Sequence, residues 1–146
     1  MDIKLTKEQF EKLLDLAYVG NWLVNSYRAD DFIEAYNDLA SHIYSYAPAF
    51  GLKDKISFDE MEGRYFPSAR LEESLAGYIE DYEDWSFWDH LVLRLAERDL
   101  VREYGEAAVD NMEDEEFEAK RQVYFDKYKK EIEKNGLDNL ELYKIS

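Results

Sequence analysis

Apolar side chains recur every three or four residues through most of this chain, which is the spacing of amphipathic helices. The first helix is predicted over residues 7–27. Thr6 followed by Gln9 matches a capping box, in which each side chain bonds the backbone N–H of the other residue. The positions that recur at helical spacing after it are Phe10, Leu13, Leu14, Ala17, Asn21 and Val24.

A second helix is predicted over residues 31–47, with Asp30 as its N-cap. Pro48 ends it, because a proline disfavours the helical conformation of the residue before it. The apolar side of this helix comprises Phe32, Tyr36, Leu39, Ala40, Ile43 and Tyr44. Residues 48–67 contain both prolines and two glycines and show no clear period, so one longer irregular segment is expected there.

Two further helices are predicted after that segment. Ser68 is the expected cap of a helix over residues 69–84, and Ser86 that of a helix over residues 87–104. Gly105 stands at the position after a helix end where glycine is preferred. The apolar stripe of the helix over residues 69–84 comprises Leu71, Leu75, Tyr78, Ile79 and Tyr82.

The last helix is predicted over residues 112–134, with Asn111 as its cap and Gly136 just past its end. No segment alternates strongly enough with a period of two to predict a competing strand. The sequence therefore predicts an all-α fold, a single compact bundle of about five helices. One domain over residues 1–146 is expected, because no boundary or internal repeat interrupts the pattern.

Composition and charge exclude several classes of protein. The chain is 46% hydrophobic and 16% aromatic, which is enough to bury a core, so intrinsic disorder is not expected. The lack of cysteine excludes disulfides and cysteine-based metal sites. Lysine and arginine number 18 against 34 aspartate and glutamate, a net charge of −16. Phosphates repel so acidic a chain, and direct nucleic-acid binding is not predicted.

The sequence shows neither a secretory signal nor an apolar run of membrane-spanning length. A cytoplasmic protein without membrane contact is therefore expected. The motifs of phosphate-binding loops, EF-hands, di-iron bundles and serine-hydrolase elbows are missing from the sequence. No cofactor and no catalytic residue is predicted.

Basic residues on the helix over residues 87–104 are the first candidate for function. Four of them recur at every fourth position and share one ridge: His90, Arg94, Arg98 and Arg102. Asp99 lies on the apolar side of the same helix, and Arg121 lies within the apolar stripe of the last helix. A buried charge needs a partner, so we hypothesise one interhelical network that includes Asp99 and Arg121.

Two interpretations of these residues stay open. Internal ion pairing with neighbouring carboxylates is favoured, since the planar guanidinium group pairs well with oxyanions. The same preference would suit a small anionic ligand, such as a phosphate or carboxylate compound. In that alternative a ligand site or an enzyme site is built from Arg94, Arg98, Asp99 and Arg121.

Acidic residues are concentrated in two stretches, residues 72–89 and 110–118, and the first contains no lysine or arginine. A solvated helix face is the favoured interpretation. Weak surface binding of a divalent cation is an alternative. The residues concerned are Glu80, Glu83, Asp84, Asp89 and His90.

Five aromatic residues lie off the predicted stripes and form a candidate interface. They are Tyr46, Phe50, Tyr65, Phe66 and Trp85. Aromatic side chains are enriched in protein interfaces because they bring a large contact area and, in tyrosine and tryptophan, a polar tip. An acidic rim around such a patch would suit a basic protein partner, or self-association into a homodimer.

Several segments resemble those of small acidic helical bacterial proteins of uncharacterised function. They are residues 16–22 (LAYVGNW), residues 95–100 (LAERDL) and residues 102–105 (REYG). The resemblance implies a bacterial or phage cytoplasmic protein. It supplies no activity, cofactor or catalytic residue.

Taken together, the residues favour a non-catalytic cytoplasmic domain that binds another protein or itself. The first alternative is an acidic inhibitor that imitates nucleic acid and covers the cationic surface of a basic protein. The second alternative is the anionic-ligand or enzyme site built on the helix arginines.

Overall fold

The computed structural model describes residues 3–141. Within that range the chain forms the α-helices α1 (Lys7–Asn25), α2 (Glu34–Tyr44), α3 (Ala69–Tyr104), α4 (Glu106–Asp110) and α5 (Asp114–Asn135). Two short strands, β1 (Ile56–Asp59) and β2 (Arg64–Pro67), pair antiparallel and stand between α2 and α3 in sequence. The all-α prediction is confirmed, because helix dominates and the sheet is small.

Residue contacts divide the chain into two compact units, Met1–Asp81 and Tyr82–Ser146. The first unit contains α1, α2, the sheet and the start of α3. The second unit contains the rest of α3 together with α4 and α5. The single domain expected from the sequence stays a prediction.

The start of α1 is fixed by the expected capping box. The Gln9 backbone N–H donates to Thr6 Oγ1 at 3.2 Å, and the Thr6 N–H donates to Gln9 Oε1 at 3.0 Å. The helix ends at Asn25, two residues before the predicted end. Asn25 is buried, and its side-chain amide bonds both the N–H and the C=O of Ile33, at 2.9 and 3.2 Å.

The predicted start of the second helix is wrong. The helix α2 begins at Glu34, and Asp30 is not its cap. Ile33 occupies the cap position, and no side chain caps the helix. The bonds from Asn25 hold the backbone of Ile33, so a residue of α1 determines where α2 begins. Sequence rules for caps consider only neighbouring residues and miss such a partner.

The segment over residues 48–67, expected to be irregular, contains regular structure. Two short 3-10 helices cover Ala47–Phe50 and Lys53–Lys55, and the β1–β2 hairpin follows. In the hairpin turn, Asp59 Oδ1 accepts backbone N–H groups at 2.7 and 3.0 Å. Gly63 provides the positive φ of 65° that closes the turn. Each strand has only four residues, too few for a clear period of two.

The hairpin is attached to α2 by polar contacts. The Tyr65 N–H donates to Ser41 Oγ at 3.0 Å. Arg64 pairs with Glu34 at 3.3 Å and with Asp38 at 2.9 Å. These contacts hold β2 beside α2 and explain why so short a sheet is retained, since an isolated two-stranded hairpin is barely stable in water.

The core of the first unit is assembled from α1, α2, the 3-10 segments and the start of α3. Its buried residues are Phe10, Leu14, Ala40, Tyr44, Ala47, Leu52, Leu71 and Leu75. Phe50 stacks on Phe10 with ring centroids 4.1 Å apart, which extends the core toward the 3-10 helix. The predicted stripe of α1 supplies Phe10 and Leu14, its most buried members.

The two helices predicted over residues 69–84 and 87–104 are a single helix, α3. Ser86 therefore caps nothing, and its hydroxyl lies 3.4 Å from His90 Nδ1 one turn further along. No glycine or proline stands between residues 78 and 104, so nothing interrupts propagation of the helix. Although α3 is long, no helix within residues 3–141 is both long and apolar enough to cross a membrane.

Among residues 82–141 of the second unit, the buried ones all come from α3. They are Val92, Leu95, Ala96 and Leu100. The predicted glycine ends are confirmed: Gly105 follows α3 and Gly136 follows α5, with φ of 83° and 56°. The start of α5 is Asp114 rather than 112, because the Asn111 side chain donates to the Ala107 carbonyl at 2.6 Å and closes α4 instead.

Candidate functional site

The basic ridge of α3 is exposed to solvent. His90, Arg94, Arg98 and Arg102 are all exposed. His90 lies beside Ser86, as described above, whereas Arg98 and Arg102 both contact Asp99, at 2.9 and 3.3 Å. Two of the three arginines thus have a carboxylate partner within their own helix.

Asp99 also reaches α5, where Tyr128 completes a small network. The Tyr128 hydroxyl donates to Asp99 Oδ2 and accepts a bond from Arg98 Nη2 at 2.9 Å. Asp99 is therefore bonded at both oxygens, and the network joins the two long helices of the second unit.

The environment keeps Asp99 ionised. Partial burial raises the pKa of Asp99. The hydrogen bonds from Tyr128 and Arg98, together with the charges of Arg98 and Arg102, have a larger effect and lower the pKa below its ordinary value. A general base works best with a pKa near the working pH. The lowered pKa of Asp99 favours a structural role over proton transfer.

Asp99 and Arg121 do not form the single network expected from the sequence. Arg121 pairs with Glu118 on its own helix and with Glu97 at 3.6 Å. Residues 97 and 99 differ by about 200° around a helix at 100° per residue, so they point to different sides of α3. The structure therefore contains two separate ion-pair clusters where one was expected.

The sequence did not predict one further hydrogen bond between α3 and α5. The Tyr124 hydroxyl donates to Glu103, and this bond, with burial and the Glu103 charge, raises the pKa of Tyr124 to about 12. Asp99 and Glu103 stand one turn apart on α3, and Tyr124 and Tyr128 stand one turn apart on α5. This shared four-residue spacing of two acids and two tyrosines is the sequence signal by which the pairing could have been found.

The five residues of the candidate interface have different surroundings. Phe50 and Tyr65 are half-buried and pack against the core of the first unit. Tyr46 is exposed and meets the His42 ring edge-on at 5.2 Å. Phe66 is half-buried beside a cavity. Trp85 is exposed on α3 in the second unit, with its ring 6.2 Å from that of Tyr82.

The acidic stretch of α3 is a solvent-exposed surface. Glu72, Glu73, Glu80, Asp81, Glu83 and Asp84 are all exposed. Among residues 3–141 no group of three or more acidic or histidine side chains is arranged to hold a metal ion. Binding of a divalent cation by Glu80, Glu83, Asp84, Asp89 and His90 stays a prediction.

An apolar groove of about 170 Å³ runs between α1 and α2. Its lining includes Leu16, Ala17, Gly20, Tyr36, Leu39 and Ile43. Leu16 is 68% exposed, Leu39 56% and Tyr36 49%. Tyr36 and Leu39 belong to the side of α2 expected to face the core, and in the structure they are not covered by it. Periodicity identified the apolar side of α2, but it could not show how much of that side the core would cover.

A separate cavity of about 320 Å³ lies in the first unit, between α1, α2, β2 and α3. Six aromatic side chains contribute to its lining: Tyr18, Trp22, Phe32, Tyr44, Tyr65 and Phe66. Glu72 is the only carboxylate among its described lining residues. No sequence pattern predicts this cavity, because its walls come from segments that are far apart along the chain.

Comparison of the chain with protein-family models, with curated proteins and with solved structures finds no significant match.

Proposed function

We propose that this chain is a cytoplasmic, non-catalytic protein-binding domain, and that the groove between α1 and α2 is its docking surface. The partner is a basic protein that places an amphipathic helix with lysine or arginine flanks in the groove. The observation that carries the proposal is the exposure of Leu16, Tyr36 and Leu39 around one apolar depression.

Apolar side chains that surround a groove favour a helix as the occupant. Helix recognition of this kind uses apolar anchors at positions i, i+3, i+4 and i+7, which insert between two helices of the host. Full burial of one leucine side chain contributes about 1.5–3 kcal/mol. Covering Leu16 and Leu39 therefore gives enough energy to support a specific contact, provided that the occupant is already helical or becomes so at low cost.

Charge favours a basic partner over a second copy of this chain. Two copies would bring two charges of −16 together, and their repulsion opposes association. A cationic segment is attracted by the same field, to which the exposed acids of α3 contribute. Such attraction raises the association rate and weakens as salt is added.

The test uses the full chain and a synthetic probe. The probe is a designed helical peptide of leucine and lysine, with leucines at i, i+3, i+4 and i+7, and its affinity is followed by fluorescence anisotropy. A scrambled peptide of the same composition keeps the charge and loses the apolar face. We expect the helical peptide to bind at least tenfold more tightly than the scrambled one, with affinity falling as salt rises.

Variants decide whether the groove is the docking surface. Leu16→Ala combined with Leu39→Ala should weaken peptide binding by about tenfold or more. Leu23→Ala is the matched control, since Leu23 is an exposed leucine of α1 that does not line the groove, and it should leave binding unchanged.

Three results would contradict the proposal. Equal binding of the helical and scrambled peptides would show that charge alone is recognised, as in the acidic-inhibitor alternative. If the groove variant and the Leu23 control had equal effects on peptide binding, the groove would not be the docking surface. Concentration-dependent dimerisation that the groove variant abolishes, measured by light scattering, would make a second copy the occupant.

A further inference from the structure

The cavity of the first unit has the size and composition of a small-molecule site. Its volume of about 320 Å³ is at the lower end of the range for such sites, about 300–1,000 Å³. The described residues that line it all belong to the first unit. It is separate from the proposed docking groove, with Asn21 as their shared wall.

The lining of the cavity favours a cation over an anion. No lysine or arginine is among the described residues that line it. Glu72 contributes a carboxylate and is exposed, so it places a negative charge at the cavity opening. Aromatic rings attract cations through their electron-rich faces. The six aromatic side chains and the Glu72 carboxylate therefore both attract a positively charged group.

Tyr44 contributes a buried tyrosine to the lining of the cavity. Its side chain is only 2% exposed and lines the cavity. Burial, together with the charges of Tyr18 and Glu72, raises the pKa of Tyr44, so the hydroxyl is neutral and its oxygen can accept a hydrogen bond.

We propose that this cavity binds a small organic ammonium ion. The apolar body of the ion lies among the aromatic side chains, and its N–H groups donate to Glu72 and to the Tyr44 hydroxyl. The proposal does not depend on the docking groove, because none of the residues that carry it lines that groove.

The experiment compares three probes of similar shape with the full chain at pH 7. They are 2-phenylethylammonium, neutral 2-phenylethanol and the anion phenylacetate. Isothermal titration calorimetry measures their affinities. We expect the ammonium ion to bind with a Kd in the millimolar range or tighter, the alcohol about tenfold more weakly, and the anion not at all.

Two neighbouring glutamates provide the matched variants. Glu72→Gln removes the charge at the cavity opening and should reduce ammonium binding about tenfold, to the level of the alcohol. Glu73→Gln makes the same charge change one residue away, outside the lining, and should have no effect. Tyr44→Phe removes only the buried hydroxyl and should weaken ammonium binding, while near-ultraviolet circular dichroism confirms that the fold is retained.

Three results would overturn the proposal that the cavity recognises an ammonium group. The ammonium ion and the alcohol could bind with equal affinity, or the Glu72→Gln and Glu73→Gln variants could have equal affinity for the ammonium ion. The third result is that no ammonium binding is detected up to the solubility limit of the probe. Nα-acetyl-lysine N-methylamide identifies the source of the ion. If this lysine analogue binds more tightly than 2-phenylethylammonium, the natural ligand is a lysine side chain of another protein. That result would overturn the proposal that the cavity binds a small organic ammonium ion.

Discussion

The Tyr128 hydroxyl connects the two long helices of the second unit, so Tyr128→Phe tests what holds them together. The change removes the bond donated to Asp99 and the bond accepted from Arg98, and it keeps the ring. A hydrogen bond to a charged group contributes about 1.5–3 kcal/mol when water does not compete. Because the Asp99 side chain is 20% exposed and that of Arg98 is 43% exposed, we expect a combined loss of about 1–2 kcal/mol.

Hydrogen exchange of the α5 amide groups measures this loss within the second unit. A loss of about 1–2 kcal/mol should speed their exchange by a factor of about 5–30. Tyr82→Phe is the control, because Tyr82 lies in the same unit and is half exposed on α3. Its substitution should leave α5 exchange unchanged.

The effect of Tyr128→Phe should also depend on pH. The pKa of Asp99 is lowered in the folded chain, so the stability it contributes is present above its ordinary pKa of 3.8 and is lost as the pH falls through the folded value. The difference between Tyr128→Phe and the unsubstituted chain should shrink over the same range. Unchanged α5 exchange in Tyr128→Phe at pH 7 would refute the account of the network.

Three further predictions follow from particular contacts. The pKa of Tyr124 is raised to about 12, so ultraviolet titration should show a tyrosine that ionises near pH 12, and Glu103→Gln should move that pKa back toward 10. The stability from that bond is complete below pH 10 and is lost as the pH rises through about 12, which alkaline unfolding should reveal. Asn25→Ala leaves the backbone groups of Ile33 without partners and should cost about 1–3 kcal/mol in urea unfolding. Leu14→Ala opens a cavity in the core of the first unit and should cost about 2–5 kcal/mol in the same assay.

Local sequence rules located the parts of the fold that local contacts determine. The capping box at Thr6 and Gln9 placed the start of α1 at the observed residue. Gly105 and Gly136 marked the ends of α3 and α5, because their positive φ angles are difficult for other residues. Each of these features depends on residues only a few positions apart, which periodicity and capping preferences describe.

The errors at α2 and at the hairpin arise where distant residues determine the outcome. The start of α2 depends on Asn25, and the hairpin depends on Ser41 and on the pairing of Arg64. Ser86 resembles a cap but lies within α3, where an uninterrupted run of helix-compatible residues outweighs it. A residue that favours the cap position marks the start of a helix only when the residues before it are not helical.

The candidate site was predicted in part. The sequence identified Asp99, Arg98 and Arg102 as members of a charged cluster, but not Tyr128, because a tyrosine on an apolar stripe is interpreted as core. The docking groove was missed for a different reason. Periodicity shows which side of a helix is apolar, and only the packed structure shows that Leu39 is left uncovered.

Mapping the bound peptide by NMR tests the central claim most directly. The leucine–lysine helical peptide is titrated into the ¹⁵N-labelled full chain, and the backbone amide shifts are followed. The account predicts that the largest shifts lie around Leu16 and Leu39, on the facing sides of α1 and α2. Shifts confined to the acidic face of α3, or an unchanged spectrum at saturating peptide, would contradict it.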